Sequence, residues 1–360
     1  WLVGVVAPLL LAASVHGQTL SGWPIEPPPE PLEPTEVQFP PYEVRTLENG
    51  MRVIAVLHHE QPVVSVRLLV GAGIAHEPAE KAGLASLLGA LLNQGTTSRS
   101  AQEIAETIDT IGGGLGVGSG SDLTFVNAVV MSDSFELVMG LVSEVIRQPA
   151  FAPEEIERQR QQILSGLQVS MQDPDYVAGV VFDRLVYGEH PYGRPQSGTL
   201  ESLPTITSAD LHAFHDRYFA PNNAIMAIVG DLTAETAFET VERIFGDWEP
   251  KTIDTPALSS PPPPTSRVVV VDMPGAVQTE IRAGHIGVAR THAEYMPLDM
   301  AVRVLGGEGS NRLHRVLRTE RGLTYGAEAS IHTLKTTGDV VAQTDTRTEA
   351  TAEALRLTIE

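Results

Sequence analysis

Leu84, Leu87, Leu88, Leu91 and Leu92 recur at the i, i+3, i+4, i+7 and i+8 spacing of a single buried stripe, with Pro78 upstream and Gly95 just beyond. That period predicts a buried helix within residues 83–96 with a stop at each end. Ahead of it, apolar runs at 44–47 and 51–57 flank Glu48-Asn49-Gly50, the strongest short-range signal for a hairpin, and a third strand is expected at 63–70. Behind it the pattern predicts a helix at 101–111, a turn at Gly112-Gly113-Gly114 and strands through 116–131. Helices follow at 134–146, 153–169, 210–219 and 234–245, with a buried strand at 225–229 before the last of them. Pro153, Glu154 and Glu155 open the second of these in the manner expected of a helix N-terminus.

Residues 251–266, with Pro261 to Pro264, break the composition and mark a linker between two domains, 42–250 and 267–360. Beyond it the order of elements restarts, with strands at 267–271 and near 278–284 and a helix at 297–305 stopped by Gly306-Gly307. Ser310-Asn311 can cap a short helix that Gly322 ends. A strand then alternates Leu323, Tyr325, Ala327, Ala329 and Ile331 on one face. The stretch 348–360 reads as a helix cut by the end of the sequence, so the second domain is expected to be truncated.

Composition narrows the function classes. With 360 residues and 42% hydrophobic content the chain can bury two cores. Its net charge of −21 argues against nucleic acid and anionic membrane surfaces as partners, since both repel an acidic protein. The absence of cysteine rules out disulfides, thiol nucleophiles and thiolate metal sites. Residues 1–17 resemble a clipped secretory signal peptide, with a signal anchor as the alternative. The mature chain is therefore expected to be exported, periplasmic or secreted, and without a membrane span. Residues 18–41 hold eight of the prolines and read as an extended linker.

On the predicted central helix, Ser86 and Ala90 sit one turn apart with Gly89 between them. An inverted zinc motif, His-x-x-Glu-His, would use those three positions for two imidazoles and a carboxylate. The surrounding frame, Glu77-Pro-Ala-Glu-Lys-Ala-Gly-Leu-Ala before and Gly95-Thr96 after, resembles the pitrilysin/insulinase family of zinc peptidases, which includes the mitochondrial processing peptidase. The resemblance implies an α+β fold of tandem homologous units, each a mainly antiparallel sheet with helices on one side. It places the metal ligands and base at Ser86, Gly89 and Ala90, and a third ligand at Gly166, none of which can bind zinc. The segment from Asn311 to Gly326 is similar to the family's second-domain signature, in which an Arg and a Tyr seven residues apart serve the zinc site; Arg318 and Tyr325 match both types and spacing. A phenol hydroxyl and a guanidinium aimed at a scissile carbonyl stabilise its developing charge by about 2.7–4 kcal/mol per donor. Their structural alternatives are a core tyrosine and an arginine meeting a helix dipole.

Other candidates carry less. The glycines at 112–114 lack the Gly-Lys-Ser/Thr of a phosphate loop. His190, His212 and His215 have no supporting ligand at a metal spacing, and His58, His59 and His76 read as loop or surface residues. The resemblance implies a non-catalytic subunit of a heterodimeric zinc metallopeptidase. It would bind peptide substrate and supply Arg318 and Tyr325 to the zinc of a homologous partner, with no cofactor of its own. The alternatives are an inactive scaffold or peptide-binding module and, more remotely, a zinc peptidase with unconventional ligands.

Overall fold

Asn49 and Gly50 reverse the chain between the first two strands, Gly50 taking the left-handed conformation (φ 87°) that the turn needs. The computed structural model describes residue 33 and residues 38–360; the apolar run at 1–17 and nearly all of the proline-rich stretch at 18–41 lie outside these residues. From Pro40 to Glu360 the chain is one compact unit.

Strands β1 (Tyr42–Thr46), β2 (Arg52–Leu57), β3 (Val63–Val70), β4 (Gly114–Ser119), β5 (Thr124–Met131) and β6 (Ala224–Gly230) form one sheet in the order β1-β2-β6-β3-β5-β4. All neighbours are antiparallel except β2 and β6. Alternate residues decide its faces: Val64, Val66, Leu68 and Val70 of β3, with Val126, Ala128 and Val130 of β5, point into the core. The opposite face is half open, and Val129, Met131 and Val229 are exposed on it.

The helices α1 (Leu84–Leu91), α2 (Ala101–Thr110), α3 (Phe135–Arg147), α4 (Pro153–Ser170), α5 (Pro174–Tyr187), α6 (Ser208–Tyr218) and α7 (Ala234–Phe245) accompany this sheet. Ser100 and Thr207 cap α2 and α6 through reciprocal capping boxes with Glu103 and Asp210, so both starts are set by side chains within three residues. Asn49 ties the first hairpin to the end of α7, its Nδ2 donating to the carbonyls of Phe245 (2.7 Å) and Trp248 (3.3 Å) while its Oδ1 accepts from Met51 N (3.1 Å).

A second, three-stranded antiparallel sheet has the order β7-β9-β8, from β7 (Gln278–Ile286), β8 (Ala327–Thr333) and β9 (Gly338–Arg347). It buries Ile281, Ala329 and Ala342 against α8 (Tyr295–Gly306), the turn α9 (Arg312–His314) and α10 (Thr351–Ile359) as a core of its own. The chain is thus an α+β protein of two antiparallel-rich sheets with separate cores. Among the described residues no helix is long and apolar enough to cross a membrane.

Two expectations change here. Residues 267–271 form no strand: no neighbouring strand pairs with them, and Val268 and Val270 stand exposed. Asn311 occupies the cap position of its helix without capping it, and its side-chain amide is buried with no hydrogen-bond partner. The helix α5 and the long strand β9 are absent from the sequence-based reading. In α5 the β-branched Val177, Val180 and Val181 around Gly179 blur the helical period.

Replacing Asn49 by Ala leaves two buried carbonyls and one N–H without their side-chain partner, and is expected to cost about 1–3 kcal/mol in urea unfolding. A change within experimental error would mean that the hairpin is not anchored to α7.

Candidate functional site

Helix α1 is built from its N-terminus. Gly83 adopts φ 92°, which only glycine takes without strain, and exposes the first N–H groups of the helix to the carboxylate of Glu77. Glu77 is buried and accepts from Gly83 N (3.1 Å) and Ala85 N (3.0 Å). Burial pushes its pKa up to about 7, even though those N–H groups and Arg194 pull in the opposite direction. Gly198, in the left-handed region, closes the other side, since a Cβ there would come within 2.4 Å of Ala82 O.

The four positions matched to metal chemistry are distributed along two helices. Ser86 donates its hydroxyl to Gln196 O (2.6 Å), Ala90 is half-buried, and Gly166 lies exposed on α4 with open space where a side chain would start. Gly89 differs: a Cβ there would lie 2.8 Å from Gly118 C and Ser119 N, so α1 rests directly on the backbone of β4. A glutamate at 89 has no room unless that strand moves. Serine, glycine and alanine side chains offer zinc no imidazole or carboxylate, and among the described residues no group of three or more His, Asp or Glu side chains can hold a metal ion. A zinc centre of the family type therefore does not fit the residues present.

The second constellation sits on the other sheet. Arg318 lies in a single π-helical turn (Arg315–Glu320), exposed, with its guanidinium donating to His314 Nε2 (3.2 Å). Tyr325 precedes β8 instead of belonging to it and is 83% exposed. Its neighbour Thr324 holds a turn just before the strand: the hydroxyl donates to Gly326 O (2.7 Å) and accepts from Gly326 N (3.0 Å), with Asp345 Oδ1 3.1 Å away. Leu323, Ala327 and Ala329 do face the core, so the reading of Tyr325 as a core residue fails at that one position. No hydrogen bond or ion pair joins Arg318 or Tyr325 to α1 among the described residues. The nearby Arg321 pairs with Glu353 (3.7 Å).

Histidines that looked peripheral in sequence are partly internal. His76 is buried, its Nδ1 accepting from Gly73 N (3.2 Å) and its ring edge-on to Tyr218. His190 is buried with Nδ1 accepting from Tyr192 N (3.2 Å), and His215 bonds the Ile146 carbonyl through Nε2 (2.8 Å). His58 and His59 are exposed, and His59 pairs with Asp231. Residues missed in sequence are Glu77, Asp122 and Lys335, whose roles come from contacts with chain segments far away in sequence.

Residues 52–199 match the family model described as Insulinase (Peptidase family M16), and residues 205–360 match that of the Peptidase M16 inactive domain. An uncharacterized zinc protease of Mycobacterium leprae is 30% identical over 79% of this chain; the chain spans 65% of that relative's length. One from Bacillus subtilis is 25% identical over 78% of the chain and 68% of its own length. Among solved structures, a peptidase M16 inactive domain from Pseudomonas fluorescens superimposes with a TM-score of 0.84 at 27% identity, covering 88% of this chain and 77% of that one. A protease from Helicobacter pylori shares the fold, with a TM-score of 0.83 at 23% identity over 88% and 79% of the two chains.

Two substitutions probe this helix. Gly89→Ala forces a Cβ onto the backbone of β4 and is expected to destabilise by about 1–3 kcal/mol, read by denaturant unfolding. Because the folded pKa of Glu77 lies above its ordinary 4.5, its contribution is complete below that pH and is lost as pH rises towards about 7. Stability measured between those values should fall more steeply for the native chain than for Glu77→Gln; parallel curves would show that Glu77 does not govern the slope.

Proposed function

We infer a function from one premise: the chain belongs to the insulinase family, peptidase family M16. Within it, the chain works as the metal-free half of a two-subunit zinc peptidase. A homologous partner carries the zinc motif, and this chain helps enclose the peptide and presents Arg318 and Tyr325 to the partner's reaction centre. The observation that carries this reading is the pairing of opposites. All four metal-side positions hold residues without ligand chemistry, while the one Tyr of the signature stands 83% exposed, with Arg318 also on the surface. A tyrosine that is not part of the core and has no hydrogen-bond partner among the described residues can donate to a substrate carbonyl.

The mechanism assigned to these residues follows from charge. Zinc held by the partner would polarise the scissile carbonyl. The Tyr325 hydroxyl and the Arg318 guanidinium of this chain would donate hydrogen bonds to the oxygen that gains charge, or hold the peptide backbone in place. An exported location, periplasmic or secreted, is proposed with this role from the apolar run at residues 1–13.

A second reading, a peptide-binding scaffold without catalytic output, is favoured by the edge of the first sheet. β4 ends the sheet order and pairs only with β5, and nothing lies within 4 Å of where side chains at Gly114 and Gly116 would begin. An extended peptide can add to such an edge through main-chain hydrogen bonds, and this contact serves both readings.

The test reconstitutes the chain with a homologue that carries the zinc motif and measures peptide turnover alone and together. Activity is expected only in the mixture, and Tyr325→Phe or Arg318→Ala should lower kcat by about 10²-fold or more with association unchanged. Turnover that both variants leave intact would remove the pair from catalysis and favour the scaffold.

A further inference from the structure

A cavity of about 330 Å³ opens between the β4–β5 and β8–β9 turns, with His76, His190, Asp122, Lys335 and the linker residues Pro256 and Leu258 in its wall. Its polar side chains are unusual in how their bonds are spent. His190 is 2% exposed and His76 9%, and each uses Nδ1 to accept a backbone N–H. An imidazole nitrogen that accepts carries no proton, so in both rings the proton sits on Nε2. Neither Nε2 has a hydrogen-bond partner among the described residues. Burial holds both rings below their ordinary pKa, which keeps them neutral N–H donors.

The remaining charges point the same way. Asp122, the carboxylate in the wall, is already engaged: Oδ1 accepts from Tyr192 OH (2.5 Å) and Oδ2 from Lys335 N (2.9 Å). The Lys335 ammonium has no ion-pair partner among the described residues. The unspent groups are therefore two imidazole N–H donors and one cation, with hydroxyls of Ser259, Ser260 and Thr336 beside them and an apolar wall of Pro256 and Leu258. Both Nε2–H groups reach solvent-accessible space and are open to an acceptor-only anion. In a chain of net charge −21, a cavity wall that carries this cation and these donors, with its one carboxylate, Asp122, already bonded, is a local exception to the surrounding field.

We propose that this cavity binds a carboxylate carrying a short apolar body, its oxygens between Lys335 Nζ and the Nε2–H groups of His76 and His190. A free small acid and the C-terminal residue of a peptide share this chemistry. The site does not depend on the proposed Arg318/Tyr325 role, because none of its residues belongs to that pair.

The experiment uses the full chain labelled with ¹⁵N and follows the histidine Nε2 resonances. Three probes are titrated separately: butyrate, a short N-acetylated peptide ending in leucine with a free carboxylate, and the same peptide as its amide. Saturable shifts of His76 and His190 with the free acids and none with the amide are expected. Lys335→Met, at an exposed position where the fold is not at risk, should weaken binding about tenfold. Tighter binding of the peptide than of butyrate identifies a C-terminus as the occupant, and the reverse identifies a free acid. No saturable shift up to about 50 mM, equal binding of the amide, or an unchanged affinity in Lys335→Met would overturn the proposal.

Discussion

The Tyr187 hydroxyl donates to Asp339 Oδ2 at 2.6 Å between groups that are 2% and 3% exposed, and the relation between the two sheets depends on it. Tyr187 closes α5 and Asp339 opens β9, so one buried bond to a charged acceptor joins the end of the first half to the start of the second sheet's central strand. Such bonds are worth about 1.5–3 kcal/mol, and leaving Asp339 unpaired there would cost more. The rest of the contact is polar in the same style. Asp339 also takes His332 (3.1 Å), whose pKa that carboxylate raises, and Tyr192 binds Asp122 with its own pKa pushed up to about 12 by burial and that bond. Ala75, Tyr187 and Tyr192 form a small apolar cluster beside it.

This joint bears on both proposed sites. It carries the β8–β9 turn with Lys335 to the wall that His76 and His190 supply from the first half. The half that holds Lys335 also carries Arg318 in its π-helical turn and Tyr325 just before β8. The first half, for its part, spends its central helix on packing. Gly89 lets α1 lie on the backbone of β4, a contact that a glutamate side chain would forbid, so the absence of the carboxylate base at this position and the close packing of the edge strand go together.

Local pattern was enough wherever an element is defined by neighbours in sequence. The leucine stripe of α1, the Asn49-Gly50 hairpin and the Pro153 start of α4 were readable because each depends on a period or a cap within a few residues. The strand expected at 267–271 was not, since four valines in a row make a strand only when another strand lies beside them. Tyr325 shows the limit at single-residue scale: the alternation of Leu323, Ala327 and Ala329 is real, yet Tyr325 lies in the turn before β8, beside Thr324 and Gly326, and stands on the surface.

By itself, then, the sequence determined the α+β class, the main elements, the family and the absence of metal-binding side chains at four matched positions, because residue identity and short-range periodicity carry all of these. Only the tertiary structure decided that His76 and His190 are buried with one nitrogen unspent, that Glu77 rather than a local cap starts α1, and that Tyr325 is a surface residue. Each of those depends on hydrogen bonds or burial that only the folded chain sets, such as the Glu77 carboxylate on Gly83 and Ala85 or the bond from Tyr192 N to His190. Spacing along a chain holds no record of which distant atom will complete a polar group's bonds, and that is why the donors facing the cavity had no signature before the fold was known.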